Sequence, residues 1–520
     1  MGFYSKSVHL CTLTSTKTTT MKKLLFISLM VLVLIPFQTK ACYTIVAGKK
    51  ATVDGSVLFA HNEDDWGVQL MNFWHVPRQQ FPKGALVKLI RGGTIPQVSQ
   101  TWAFSWIQDV NEEYSDFYIN EWGVCVASNA CGSKIEHPEV TDGGIGYMLR
   151  RIVAQRAKTA RQGVKIAGHL LDKFGYAAGP GSGRTLVIAD KNEAWLLDIL
   201  PGKYWIAERV PDNAVVLQPN IFVIRKVNFN DTTNFIFCKK DIRKYAIQKG
   251  WYNPRKDKVF DFSYIFSDFR SRHFTERGYD TRQWRGQQLL SGKTTTIRQA
   301  KKSGLPFSVI PAHKLTPADL MQVLRDHYQG TPYDMTLNKK INPNKGSERT
   351  ICSLSTQVSL VAQLRTGWPK EIGPVLWLSF GRPDVNTYVP FYPVATQPPA
   401  CYHYVPGNGN WKTSLAHQFK PLPGTFTYQP DKAFWIFNDL ENISGLAYYK
   451  TIGMIQKTWK QQEKEAFALQ PAVEKSALML YKTNPKRAAQ FLQEYSNARA
   501  MQAIKTSRQL LIKVKSLIYR

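Results

Sequence analysis

Residues Cys42–Asp65 read CYTIVAGKKATVDGSVLFAHNEDD. Tyr43–Ala47 has strand character, Asp54-Gly55-Ser56 is a turn signal, and Val57–Ala60 is a second strand. The prediction is a hairpin with polar residues, His61 to Asp65, at its far end. A cysteine stands at the start of its first strand.

Working upstream, Met21-Lys22-Lys23 precedes the apolar run Leu24–Phe37, which is followed by Gln38-Thr39-Lys40-Ala41. A basic start, a short apolar stretch and a small final residue predict an export signal. The run is too short for a comfortable membrane span. The expected translation start is Met21, and the expected cut lies between Ala41 and Cys42. Residues 1–41 are then a leader, the mature chain begins at Cys42, and the address is periplasmic or extracellular in a bacterium.

A free N-terminal cysteine holds a thiol, with a reference pKa of roughly 8.5, beside an α-amine of roughly 7.7 to 8. The amine can take the thiol's proton, so nucleophile and base sit on one residue. Attack on an amide would give an oxyanion, which needs donors aimed at it, and then a thioester. Two other readings of Cys42 stand beside this one: an acylated lipoprotein cysteine and an ordinary buried or disulfide cysteine.

Working downstream, strands are expected at Thr101–Ile107, Asp116–Ile119 and Val124–Ala127. Helices follow at Gly146–Ala160 and Val164–Phe174, the second ended by Gly175. Strands resume at Arg184–Ala189, Ala194–Ile199, Tyr204–Arg209 and Ala214–Gln218. This order predicts an α+β fold in which helices cover a mostly antiparallel sheet. Later elements are a helix at Pro317–Tyr328, capped by Thr316, and strands at Val358–Leu364 and Val375–Phe380. One large domain, 42–454, and a basic helical extension, 455–520, complete the division.

Composition removes several classes. A chain of 520 residues with 43% hydrophobic content is not disordered. Seven cysteines are too few for a small disulfide scaffold. The net charge of +30 raises nucleic acid or an anionic surface as a partner. Its distribution argues otherwise: residues 1–41 hold five lysines and no acid, residues 455–520 hold thirteen basic and four acidic residues, and the rest is spread thinly. The expectation is a basic surface without nucleic-acid binding. There is no phosphate loop or dinucleotide fingerprint. No metal or cofactor is expected, because the consecutive residues of HNEDD do not converge on an ion without further ligands. Cys125 and Cys131 are six apart and are spaced to pair around a turn in an oxidising compartment. Cys238, Cys352 and Cys401 read as core or loop thiols. A homo-oligomer is left open.

The opening stretch resembles the start of the bacterial dipeptidase family of N-terminal-nucleophile (Ntn) hydrolases, the group typified by lactobacillal dipeptidases. More distantly it is similar to penicillin V acylase and bile salt hydrolase. The likeness continues through NEWGVCVASNA (120–130), GIGYMLRRIVAQRAKTARQGVKIAGHLLDKFG (144–175), GSGRTLVIADKNEAWLLDI (181–199) and VPDNAVVLQPN (210–220). It continues with RQWRGQQLL (282–290), GTPYDMT (330–336), RTICSLSTQVSLVAQLR (349–365) and PVLWLSFGRPDVNTYVPFY (374–392).

The resemblance implies a four-layer αββα sandwich with the nucleophile at the start of a central strand. Cys42 matches that nucleophile. Where the acylase relatives carry Arg-Asn-x-Asp, this chain reads His61-Asn62-Glu63-Asp64. Asp64 therefore matches the carboxylate that holds the α-amine. His61 replaces an arginine that steadies the thiolate, and a mostly neutral imidazole would do so less well. Asn220 matches one oxyanion donor. The second falls at Asn129 or, one residue earlier, Ser128. A basic residue that closes the site falls at Arg282, with Arg285 as the alternative. The implied activity is an exported cysteine dipeptidase acting on dipeptides or short peptides. Its rivals are an N-acyl amide hydrolase and a non-enzymatic surface lipoprotein whose basic tail binds an anionic polymer.

Overall fold

The computed structural model describes residues 42–519, except 66–68, 113–116, 178, 180, 269–279 and 294. The leader, with Met21 and Ala41, lies outside the described residues, as does Asp116 at the start of one expected strand. The hairpin forms as expected and runs further. Strand β1 is Tyr43–Ala47 and β2 is Val57–Asp64, paired antiparallel with Ile45 opposite Ala60. The extra four residues, His61–Asp64, stay extended because Thr356–Leu364 pairs along the other edge of β2. Backbone groups inside a sheet need partners on both sides, and this neighbour supplies them.

Two antiparallel sheets carry the fold. The eight-stranded sheet contains β3 (Met71–Val76), β4 (Phe104–Asp109), β5 (Phe117–Asn120), β6 (Cys125–Gly132), β7 (Ser182–Ala189), β8 (Ala194–Ile199), β9 (Trp205–Arg209) and β11 (Phe235–Phe237). Its strands pair mostly in chain order. The seven-stranded sheet joins β1 and β2 to β10 (Val215–Gln218), β12 (Ser308–Val309), β13 (Thr356–Leu364), β14 (Val375–Phe380) and β15 (Val389–Phe391). Its order, β12-β10-β1-β2-β13-β14-β15, draws its centre from three distant parts of the chain.

Alternation along the hairpin sends side chains to two different cores, as a period of two requires. Val46, Val57 and Phe59 join a cluster shared with the eight-stranded sheet. Ile45, Leu58 and Ala60 join a second cluster with residues of helix α4 (Pro317–Leu324). Helices α1 (Met148–Arg156) and α2 (Ala160–Phe174) pack on the eight-stranded sheet, and α3 (Thr281–Ser291) packs beside β10. Thr159 caps α2, and Gly175, at φ 74°, ends it. Thr316 caps α4 in a reciprocal box with Asp319. That helix stops at Leu324, short of the expected Tyr328, whose φ of 66° is left-handed.

The C-terminal region forms α5 (Ala433–Gly445), α6 (Tyr448–Thr483) and α7 (Pro485–Ile518). Asn484 accepts from the Lys486 and Arg487 amides and so starts α7 immediately after α6. Buried ion pairs dock α6: Glu463 accepts from Arg325 at 2.6 Å, and Glu474 accepts from both ends of the Arg365 guanidinium at 2.6 and 2.7 Å. Residues 42–519 fall within one compact unit. No described helix is long and apolar enough to cross a membrane.

One expectation is corrected. Cys125 and Cys131 lie on a single strand, β6, and not around a turn. Six residues of strand separate them by about 20 Å, far beyond the reach of a disulfide. Both thiols are free and buried.

Candidate active site

Cys42 sits immediately before β1 and is 3% exposed. Its Sγ–H donates to Glu63 Oε1 at 2.8 Å, and the Asp64 carbonyl lies 3.9 Å away. Burial, and then the Glu63 carboxylate, push the thiol well above its ordinary range. The other Glu63 oxygen, Oε2, is 2.8 Å from His61 Nε2. His61 Nδ1 is 2.7 Å from Thr44 Oγ1, and Thr44 donates to Asn129 Oδ1 at 2.7 Å. Asn129 reaches across from β6 and donates its amide to the Gln218 carbonyl at 3.1 Å.

The strand period explains this grouping. Thr44 lies opposite His61 in the register. His61 and Glu63 follow Val57 and Phe59 on the face toward the eight-stranded sheet. Asn62 and Asp64 follow Leu58 and Ala60 on the opposite face. There Asn62 donates to the carbonyls of Leu324 and Ile351, each at 3.0 Å. Asp64 Oδ1 accepts from Thr356 at 2.6 Å, and its Oδ2 is 3.5 Å from Arg349. Burial raises the Asp64 carboxyl to about 6, against the opposing pull of Arg349 and Thr356.

Arg282 enters from the first turn of α3, which Asp280 caps. It donates to the Cys42 carbonyl at 3.4 Å and to Asn220 Oδ1 at 2.8 Å, and it pairs with Asp280 at 3.5 Å. Tyr43 O–H donates to the Arg282 carbonyl at 3.0 Å, which ties α3 to β1. The approach is close enough that a Cβ at Gly286 would fall 2.1 Å from the Tyr43 hydroxyl. Asn220 donates its own amide to the Ala130 carbonyl at 2.9 Å.

The five residues singled out in the sequence are thus distributed unevenly. Cys42, Asn129, Asn220 and Arg282 converge on the start of β1, and Asp64 approaches from the other face of β2. The alternatives separate cleanly. Ser128 accepts from Arg150 at 2.7 Å, on the side of β6 away from Thr44. Arg285 is held bidentate by Asp326 at 2.9 and 2.8 Å. Glu63 and Arg349 went unnoticed in the sequence. Alternation along β2 was the available signal for Glu63, since it places residues 61 and 63 on the Cys42 side. Arg349 had no local signal, because it reaches the hairpin from about 285 residues away.

Cys42, His61 and Glu63 offer a thiol, an imidazole and a carboxylate within 4.8 Å of one another, a ligand set that zinc accepts. Two ligands of one tetrahedral zinc stand about 3.3 to 3.7 Å apart. The His61–Glu63 contact here, at 2.8 Å, has the spacing of a hydrogen bond.

The sequence profile of peptidase family C69 matches residues 41–461, and the chain belongs to this family. A "Probable dipeptidase" of Latilactobacillus sakei is 27% identical over 381 residues, covering 71% of this chain and 77% of its own length. A "Dipeptidase" of Bifidobacterium longum is 28% identical over 394 residues, covering 69% and 72%. Among solved structures, a mutant conjugated bile acid hydrolase of Clostridium perfringens aligns over 68% of this chain and 92% of its own. It does so with 12% identity and a TM-score of 0.30, a fit too loose to carry an argument.

Proposed function

We propose that this chain is an exported cysteine dipeptidase of the Ntn type, cleaving dipeptides or short peptides. The observation that carries the reading is the buried Cys42 thiol at the head of a central strand, with a proton acceptor at 2.8 Å. Membership of a peptidase family with dipeptidase relatives supports the substrate class.

Removal of the leader after Ala41 exposes the α-amine of Cys42, the base expected from the sequence, with Asp64 as its carboxylate. The thiol attacks the amide carbon. Asn220 and Asn129 each have a second amide hydrogen to offer the oxyanion. Arg282 holds the Cys42 carbonyl and Asn220 together. The amine leaves, and water hydrolyses the thioester. The αββα layering belongs to the same proposal. It is supported by the division of hairpin side chains between one core shared with the other sheet and another shared with helices.

The test begins with the N-terminal sequence and intact mass of protein recovered from its native compartment. An unmodified chain starting at Cys42 is expected, and an acylated Cys42 would favour the lipoprotein reading. A panel of dipeptides, conjugated bile salts and penicillin V then follows. Hydrolysis of the acyl amides without the dipeptides would overturn the substrate assignment.

A further inference from the structure

The last helix leaves one of its faces out of the fold. Along α7 the side chains of Ile504, Ser507, Leu510 and Val514 are buried. Leu510 and Val514 pack in one apolar cluster with Tyr448, Ile455 and Trp459 of α6. The exposed positions Met501, Lys505, Arg508, Ile512, Lys515 and Tyr519 follow at alternating steps of four and three residues. Such steps keep pace with the helical turn, so these side chains form one line along the outer side of the helix. Arg508 donates to the Pro430 carbonyl at 3.0 Å and remains exposed, which ties the line to the body of the protein.

Two properties set this line apart from an ordinary solvated face. The first is charge. Glu494 is the last acidic residue of the chain, and residues 495–519 hold the cations Arg499, Lys505, Arg508, Lys513 and Lys515. A solvated surface normally mixes both signs. The second is apolar content. Met501 is 52% exposed, Ile512 67% and Tyr519 87%. Scattered single exposures of this kind are normal. Here they share one line with three cations and no carboxylate.

We propose that this face of α7 docks the protein on the surface of an anionic lipid bilayer. Lysine and arginine meet the phosphate headgroups, and their long stems run beside Met501 and Ile512, which enter the boundary between headgroups and acyl chains. Tyr519 suits the headgroup level, with its ring in the apolar layer and its hydroxyl in water. A nucleic-acid backbone would pair with the cations and leave Ile512 and Met501 in water. A bilayer surface gives both kinds of side chain a partner. The helix lies on the membrane and does not cross it, in keeping with its hydropathy. It also lies beyond residue 461, where the family match ends. The inference therefore concerns the extension of this chain and stands apart from the chemistry at Cys42.

The test sediments the processed, full-length chain with lipid vesicles. Vesicles of phosphatidylglycerol and phosphatidylethanolamine are expected to carry it down at low ionic strength, and phosphatidylcholine vesicles are not. Salt at about 1 M, where the Debye length is about 3 Å, is expected to release most of it. Each Lys or Arg near such a surface strengthens binding about fivefold. Lys505→Gln, Arg508→Gln and Lys515→Gln together are thus expected to weaken binding about 100-fold. The same charge loss outside the C-terminal helices, at exposed Lys244, Lys249 and Lys256, is expected to cost less than about threefold. Ile512→Gln alters no charge and is expected to weaken binding about tenfold.

No sedimentation with the anionic vesicles, or equal sedimentation with phosphatidylcholine, overturns the proposal. So do equal losses in the two triple variants, which would make net charge the cause. Binding that is unchanged in Ile512→Gln and matched by a DNA duplex overturns it in favour of a polyanion. Circular dichroism checks the fold of each variant. If the α7 triple variant does not fold, Ile512→Gln decides, and an unchanged affinity overturns the proposal. Peptidase activity is no part of the readout, so failure of the dipeptidase reading would leave this docking face in place.

Discussion

Two buried clusters in this chain use the same residue types, and their carboxylates are engaged differently. Cys42, His61 and Glu63 form one; His327, Cys352 and Asp384 form the other; in each, the donor atoms lie within 4.8 Å of one another. In the first, one carboxylate oxygen meets the thiol and the other meets the imidazole. In the second, Asp384 Oδ2 accepts from Tyr448 at 2.8 Å and Asn344 at 3.0 Å, and His327 lies at 3.2 Å. Its Oδ1 faces Cys352 at 3.5 Å and the Arg382 guanidinium at 3.7 Å. Burial alone would raise the Asp384 carboxyl, but the hydrogen bond from His327 and the nearby positive charge hold it well below its ordinary range. A carboxylate fixed by a permanent cation and several donors is a structural hub. A carboxylate placed between a thiol and an imidazole bridges the two. Residue types alone do not separate the two cases.

The comparison breaks or sharpens most sharply at the thiols. Cys42→Ser is expected to lower kcat/KM at least about 1,000-fold with the fold retained, as for loss of a nucleophile. Cys352→Ser is expected to stay within about threefold. Peptidase kinetics alongside circular dichroism checks both, and equal losses would erase the distinction.

Next in size is the hub itself. Asp384→Ala takes one of the two carboxylates from buried Arg382, which keeps its Glu441 contact at 2.9 Å. A cost of about 3 to 5 kcal/mol in urea unfolding is expected, the range for breaking a buried pair. Turnover of the folded fraction is expected to be unchanged.

The pH dependence of stability has opposite signs at Asp64 and Asp384. Asp64 titrates near 6 when folded, against an ordinary value of 3.8, with Arg349, Arg282, Thr356 and Glu63 around it. Its folded pKa is raised, so its contribution is full below about 4 and declines as pH rises toward 6. Asp384 is depressed, so its contribution is present above about 4 and is lost as pH falls below that. Thermal melts across pH 3 to 7 should show Asp64→Asn removing the decline between 4 and 6. Asp384→Asn should remove the acid-side loss instead. Identical profiles in the two variants would show that the carboxylates are not distinct.

The smallest effect is expected at Thr44→Val, which removes the hydroxyl between His61 and Asn129. A stability cost of about 1 to 3 kcal/mol follows from the stranded buried partners. Turnover is expected to fall about tenfold, with the loss mainly in kcat. A loss confined to KM would show that Thr44 does not help to position the groups beside Cys42.

The legibility of the chain follows the locality of its contacts. The eight-stranded sheet was readable because its neighbours are neighbours in sequence: β7, β8 and β9 fell within two residues of their expected bounds. The end of β2 was not, because what keeps His61–Asp64 extended is a strand almost 300 residues away. The disulfide expectation failed for a related reason. A spacing of six looks short in sequence, yet within a strand it is a long distance in space.

At the site, the sequence alone determined the hairpin and the cysteine at its head, and the resemblance pointed to Asp64, Asn220, Asn129 or Ser128, and Arg282 or Arg285. These depend on local patterning and on ordered motifs. Only the tertiary structure brought Asn129 and Arg282 to the start of β1 and gave Ser128 and Arg285 other partners, because the faces of β6 and α3 acquire meaning once a second element packs on them. It alone placed Glu63 between thiol and imidazole, and Arg349 against Asp64. Hydrogen bonds and charges act over a few ångströms, and the groups that share those few ångströms here come from the two sheets and from chain segments hundreds of residues apart.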